Sequence, residues 1–205
     1  MKRICVTMAL LAGVVCSVSA QRPAQEPLQR RIAEASAAMK SLQCDFVQVK
    51  EISILADKVV SRGTLSYKGG DRLRWLYTEP YRYEFTMNGS RVKVGGEAGA
   101  TVVDTRSSKL FREISSIISG SVDGRIFSSE SFDAVLSEEG GRIVADMTPR
   151  SRELKGMFRS VRIFFAADCT VERVEMCEPS GDTTVITFRN KRLNGEIDDS
   201  IFAVD

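Results

Sequence analysis

From Leu65 to Met87 the chain alternates apolar and polar residues between short breaks, and this pattern limits the fold more than any other feature. Leu65, Tyr67, Leu73, Trp75, Tyr77, Tyr81, Tyr83, Phe85 and Met87 fall on one side of the alternation, and Arg72, Arg74, Arg82, Glu84 and Thr86 on the other. A period of two is that of a strand with one face buried and one solvated, which is the pattern of antiparallel sheet. Lys68-Gly69-Gly70-Asp71, Pro80 and Asn88-Gly89 are the turns, and Gly63 marks a bend or bulge inside a strand. All 4 tyrosines and the 1 tryptophan lie in this stretch. Ordinary sheet cores are dominated by Val, Ile and Leu. A face this aromatic fits either a packed core, the simpler reading, or a large apolar cavity.

The rest of the chain extends the same architecture. Residues 21–27 read as a polar, Pro-containing leader. Leu28, Ile32, Ala35, Met39 and Leu42 recur at helical spacing among several alanines, predicting a helix with a narrow apolar stripe. A strand follows from Phe46 toward Leu55, then a turn at Asp57-Lys58 and a strand from Val59 to Tyr67. Arg91 to Val94 continues the meander, and Val102-Val103 adds a further piece. Leu110, Phe111, Ile114, Ile117 and Ile118 share one side of a short apolar helix ended by Gly120, expected either to pack on the sheet or to serve as a displaceable lid. Strands are predicted again at Phe132–Leu136, Arg142–Thr148, Phe158–Phe165, Val171–Cys177 and Thr183–Phe188, with a polar loop at Pro149–Lys155 and a mostly polar tail. No repeat, low-complexity tract or long linker divides the chain.

Residues 1–20 read as a secretory signal peptide: Lys2 and Arg3, an apolar run from Ile4 to Val18, then Ser19-Ala20 before Gln21. An uncleaved anchor and lipid attachment at Cys16 are the alternatives. Cleavage leaves residues 21–205 as one domain. It also removes Lys2 and Arg3, so the 29 Lys and Arg fall by two to match the 27 Asp and Glu. A neutral chain is a poor candidate for nucleic-acid binding, which depends on phosphate attraction. Cys44, Cys169 and Cys177 remain, and an odd count allows at most one bridge. Eight strand steps separate Cys169 from Cys177, too far for pairing along one strand, so buried free thiols are expected. The chain has 0 histidines, which removes the commonest general base and every Ser-His or Cys-His pair, and leaves few ligands for zinc.

Several segments in order resemble the periplasmic lipoprotein carriers called LolA. They are Ser41-Leu42-Gln43-Cys44-Asp45-Phe46-Val47-Gln48, Gly63-Thr64-Leu65, Leu73-Arg74-Trp75-Leu76-Tyr77 with Glu79-Pro80, Asn88-Gly89, Gly181 through Asn190, and Ile197-Asp198-Asp199 with Ile201-Phe202. The resemblance implies an α+β fold, mainly antiparallel: a strongly curved, unclosed β-barrel with helices covering its concave face. It implies an apolar cavity for the acyl chains of lipoproteins, released by an inner-membrane ABC transporter and passed to an acceptor at the outer membrane. It also implies a monomeric periplasmic carrier with no cofactor and no catalytic residue. Two positions depart from the family pattern. Gly69 stands where many members have an arginine that holds the lid closed, with Arg62, Arg72 or Arg74 as candidate substitutes, and Cys44 stands where a small residue is common.

On alternation and helical spacing, the cavity walls are assigned to Phe46, Leu65, Tyr67, Leu73, Trp75, Tyr83, Phe85 and Met87 on the sheet, and to Leu110, Ile114, Ile117 and Ile118 on the lid. A one-residue register error would turn a whole strand to the other face. Three rival readings are a binding module of the same fold serving envelope-stress sensing or another lipid, a purely structural envelope domain, and a carboxylate enzyme using Asp45, Asp71 and Glu84.

Overall fold

In the computed structural model, residues 22–55, 57–69, 71–107 and 131–204 are described. Helix α1 (Arg22–Ala38) leads into strands β1 (Ser41–Glu51), β2 (Lys58–Lys68), β3 (Arg72–Glu79), β4 (Tyr83–Asn88), β5 (Arg91–Gly96) and β6 (Gly99–Asp104). A 3₁₀ turn follows at Thr105–Ser107. Then come β7 (Phe132–Glu139), β8 (Arg142–Pro149), a short helix α2 (Arg152–Met157), β9 (Ser160–Phe165), β10 (Val171–Cys177), β11 (Thr183–Leu193) and a 3₁₀ turn at Asp199–Phe202. The 11 strands form one sheet in the order β6-β5-β4-β3-β2-β1-β11-β10-β9-β8-β7. Every pairing is antiparallel. The edge strands β6 and β7 do not pair with each other, so the sheet is unclosed, as the resemblance implies.

Register gathers the buried apolar residues of β1–β4 on one face. Leu42, Cys44 and Phe46 of β1 lie opposite Tyr67, Leu65 and Gly63 of β2, and Tyr67 and Leu65 lie opposite Leu73 and Trp75 of β3. Leu73 and Trp75 in turn face Met87 and Phe85 of β4. The inner face carries two apolar clusters, one over β1–β5 with β11 and one over β7–β9. Val171, Val174 and Met176 pack against both.

The sheet is concave on this side. β3 and β11 are separated by β2 and β1, three strand spacings or about 14 Å in a flat sheet. Yet the rings of Trp75 and Phe188 have centroids 5.9 Å apart, and those of Phe46 and Tyr77, two strands apart, are 5.0 Å apart. Curvature brings such side chains together. The bend expected at Gly63 is present as a shift in register between Arg62 and Gly63.

Helix α1 lies over the β7 side of the inner face, where Ile32 is fully buried and Leu28 packs beside it. Three sequence assignments change here. The leader of residues 21–27 belongs to α1 from Arg22 onward, with Pro27 inside the helix. Leu42 leaves the helical stripe for the inner face of β1, because the helix ends at Ala38 and period-two pairing begins at Ser41. The polar loop at Pro149–Lys155 contains α2, whose N-cap Ser151 accepts a hydrogen bond from the Leu154 amide and whose Leu154 is buried against β8–β9 residues. The tail is also anchored: Ile197, Phe202 and Val204 are buried, and Lys68 and Arg72 both pair with Asp199.

Candidate functional site

The inner face over β1–β5 is a continuous apolar wall. Phe46, Leu65, Tyr67, Leu73 and Met87 are buried within it, while Trp75 and Phe85 are half-buried. Tyr83 lies on the same face, opposite Tyr77, but it opens β4 and remains 44% exposed. Leu110, Ile114, Ile117 and Ile118, assigned from sequence to a lid, lie outside the described residues. The wall also takes in Tyr77, Val92, Val94, Ile186 and Phe188. Ile186 and Phe188 alternate in sequence as the others do, but alternation alone cannot say that β11 is the neighbour of β1.

Aromatic rings dominate the wall. Phe46 contacts Trp75 at 4.9 Å and Tyr77 edge-on at 5.0 Å, and Trp75 meets Phe188 edge-on. Such pairs favour tilted and edge-on geometry because a ring's positive edge meets its neighbour's negative face. Trp75, Tyr77, Phe85 and Val94 are each only partly covered, so this part of the wall is not sealed.

Polar groups on this face are few. The Tyr77 hydroxyl donates to Gln48 Oε1 at 2.9 Å. Burial pushes the Tyr77 pKa above its ordinary value, outweighing the opposing effects of the Trp75 indole and Gln48, so the phenol stays neutral. The Trp75 indole bears on that phenol electrostatically, yet its Nε1 meets no acceptor in hydrogen-bond geometry.

The outer face is charged. Arg74 donates to Glu84 Oε2 through Nε at 3.0 Å and Nη2 at 2.7 Å, and Lys93 approaches the same carboxylate at 3.5 Å. Burial pushes the Glu84 pKa up, but Arg74 and Lys93 outweigh it and hold the carboxylate below its ordinary range. An open recess of about 310 Å³ beside this group is lined by Arg74, Leu76, Arg82, Glu84, Lys93 and Glu97, of which Arg74 and Lys93 pair with Glu84.

The carboxylates considered for catalysis are dispersed. Asp45 and Glu84 share a row through Thr64 and Leu76, three strand spacings or about 14 Å apart. Asp71 lies in the β2–β3 turn at the other end of the strands. Among the described residues no group of His, Cys, Asp or Glu could hold a metal ion. No helix among them is long and apolar enough to cross a membrane. Gly69 adopts a left-handed φ of 46° in its turn, and the three arginines considered as substitutes are engaged elsewhere: Arg62 with Glu79, Arg72 with Asp199 and Arg74 with Glu84.

Comparison with known proteins agrees with this architecture. The family model described as outer membrane lipoprotein carrier protein LolA matches residues 37–205, which take in every strand. An outer-membrane lipoprotein carrier protein from Methylococcus capsulatus is 24% identical over 177 residues, covering 85% of this chain and 81% of that protein. A solved DUF1329 family protein from Desulfovibrio piger shares the fold at a TM-score of 0.50 and 13% identity, over 89% of this chain and 97% of that one. A LolA superfamily protein from Nitrosomonas europaea aligns at a TM-score of 0.47 and 12% identity, over 87% of this chain and 96% of that one. With its open antiparallel sheet and apolar concave face, the chain belongs to the LolA family of outer membrane lipoprotein carrier proteins.

Proposed function

We propose that this protein is a periplasmic carrier that holds the acyl chains of lipoproteins against the concave face of its sheet and shuttles them from the inner to the outer membrane. Residues 1–20 act as the cleaved export signal in this reading, and the partners are an inner-membrane ABC transporter and an outer-membrane acceptor. One observation carries the proposal: the inner wall is contiguous and apolar, yet only half-covered at Trp75, Tyr77, Phe85 and Val94. Each methylene exposed to water costs about 0.8 kcal/mol, so an acyl chain crossing an aqueous space needs such a surface. A wall of rings and thioethers without built polar sockets binds hydrocarbon with little shape selectivity, which suits a carrier that must also release it.

The test is displacement of an apolar fluorophore by a synthetic diacylated lipopeptide. Phe85→Asp, on the half-buried inner wall, is expected to weaken the lipopeptide at least tenfold. Val135→Asp, at a half-exposed position of β7, is the surface control and should bind as the parent does. A folded Phe85→Asp protein with undiminished affinity would remove the inner wall from the binding site. Mass spectrometry of protein purified from cells then separates cargoes: a diacylated polypeptide supports lipoprotein carriage, and a free lipid replaces it with general lipid carriage.

A further inference from the structure

Trp75 Nε1 is the exception in the apolar wall. It is buried, and it has no hydrogen-bond partner among the described residues. Phe46 and Phe188 contact the indole, and Leu65 and Phe85 are its cross-strand neighbours. A phenylalanine here would furnish the same kind of wall without a stranded donor. An indole N–H removed from water with no acceptor is a standing penalty, and such groups are rare in folded proteins. Tyr77, two residues along the same face, has met the same requirement by donating to Gln48. Trp75 as a residue is only half-buried, so a chain laid along this face touches the indole ring, and a turn of the ring uncovers the covered Nε1 to it.

We propose that Trp75 Nε1 is a recognition donor for the carbonyl oxygen of an acyl ester or amide, so that the site takes acyl-linked chains in preference to alkyl chains of equal length. The inference rests on the reading of the inner wall as an acyl-binding surface and adds to it the chemical class of the linkage. An acyl chain carries one strong acceptor, the carbonyl at its head, and its hydrocarbon matches the surrounding rings and aliphatic side chains. The neutral Tyr77 phenol and Gln48 continue the polar strip beyond Trp75 toward the β1–β2 end, where the headgroup then lies. A hydrogen bond made in a dry site to an otherwise unpaired donor discriminates more strongly than the same bond made in water.

Calorimetric titration of the full chain with monopalmitin and with its ether counterpart, hexadecyl glycerol, tests this. The two differ at the linkage and share a chain length. The parent protein is expected to prefer the ester by about five- to tenfold, and in Trp75→Phe the ratio is expected to fall to about one. Ultraviolet resonance Raman spectra of the single tryptophan provide a readout that needs no variant. The indole N–H band should shift to its hydrogen-bonded position with the ester and not with the ether. Equal affinity for the two probes, or a preference that survives Trp75→Phe, overturns the inference while leaving acyl binding intact. Binding of neither probe overturns the acyl-binding reading, and the inference with it.

Discussion

The Phe46 ring occupies the space that a side chain at position 63 would need. A Cβ on Gly63 would lie 2.7 Å from Cζ and 2.8 Å from Cε1 of Phe46, and 1.9 Å from the Leu76 carbonyl oxygen. The ring can turn, but the carbonyl belongs to the β2–β3 ladder and cannot retreat without breaking it. Gly63→Ala is therefore expected to destabilise the fold by about 3 kcal/mol, the upper part of the range for overpacking. Adding Phe46→Leu should not restore the loss, because it leaves the carbonyl clash in place. Urea unfolding of the single and double variants checks both statements.

Helix α1 is held by grease rather than by charge. Ile32 is fully buried against β7–β9 residues, whereas the Arg31–Glu138 pair is about half-exposed at both partners. Ile32→Ala should cost about 2–3 kcal/mol, whereas Arg31→Ala should leave stability nearly unchanged, as measured by denaturant midpoints at constant m-value.

The β1–β2 turn is tied to the β10–β11 turn by Asp182, whose Oδ1 accepts from the Ser53 amide at 2.8 Å and from its hydroxyl at 2.9 Å. These bonds, the amide's first, hold the Asp182 carboxyl below its ordinary value of 3.8. A depressed folded-state pKa means the tether is intact above the unfolded value and is lost as pH falls through the lower, folded one. Protection of the Ser53 amide, measured as its hydrogen-exchange rate relative to the intrinsic rate at each pH, should therefore be high at neutral pH and be lost as pH falls below about 4 through the depressed value. Asp182→Asn, which cannot ionise, should flatten that dependence.

Cys44 faces the inner wall between Leu42 and Phe46, and burial pushes its pKa from 9.0 up to about 12. Its neutral thiol favours the folded state below pH 9, and that contribution disappears as pH rises from 9.0 toward about 12. At pH 8 a thiol reagent should modify half-buried Cys169 and Cys177 in the folded protein and reach Cys44 only on unfolding. Peptide mapping of the labelled residues, in protein lacking residues 1–20, checks the order.

The inner wall of β2–β4 was legible because a two-residue period reports facing directly: Leu65, Tyr67, Leu73, Trp75, Phe85 and Met87 needed no other information. The period does not report where a strand stops, which is why Tyr83 opens β4 half-exposed at its end and β1 ends at Glu51, well short of Leu55. Nor does it report which strands meet across the sheet. Phe188 joins Trp75 only because β11 returns beside β1 and the sheet curves, a long-range event with no local signature. Helix α2 was missed because its apolar content is slight: it is 6 residues long and buries only Leu154, and its cap at Ser151 sits within a run of charges that reads as solvated loop.

In a closed barrel the last strand bonds to the first, and the girth is fixed by strand number and shear. Here, among the described residues, β6 and β7 end the sheet without meeting, so no ladder bond between them opposes their separation. Widening the trough spreads a small change in twist over ten inter-strand seams and breaks none of them. Bore is thus a soft variable in this molecule, set by bending of the backbone rather than by repacking of side chains.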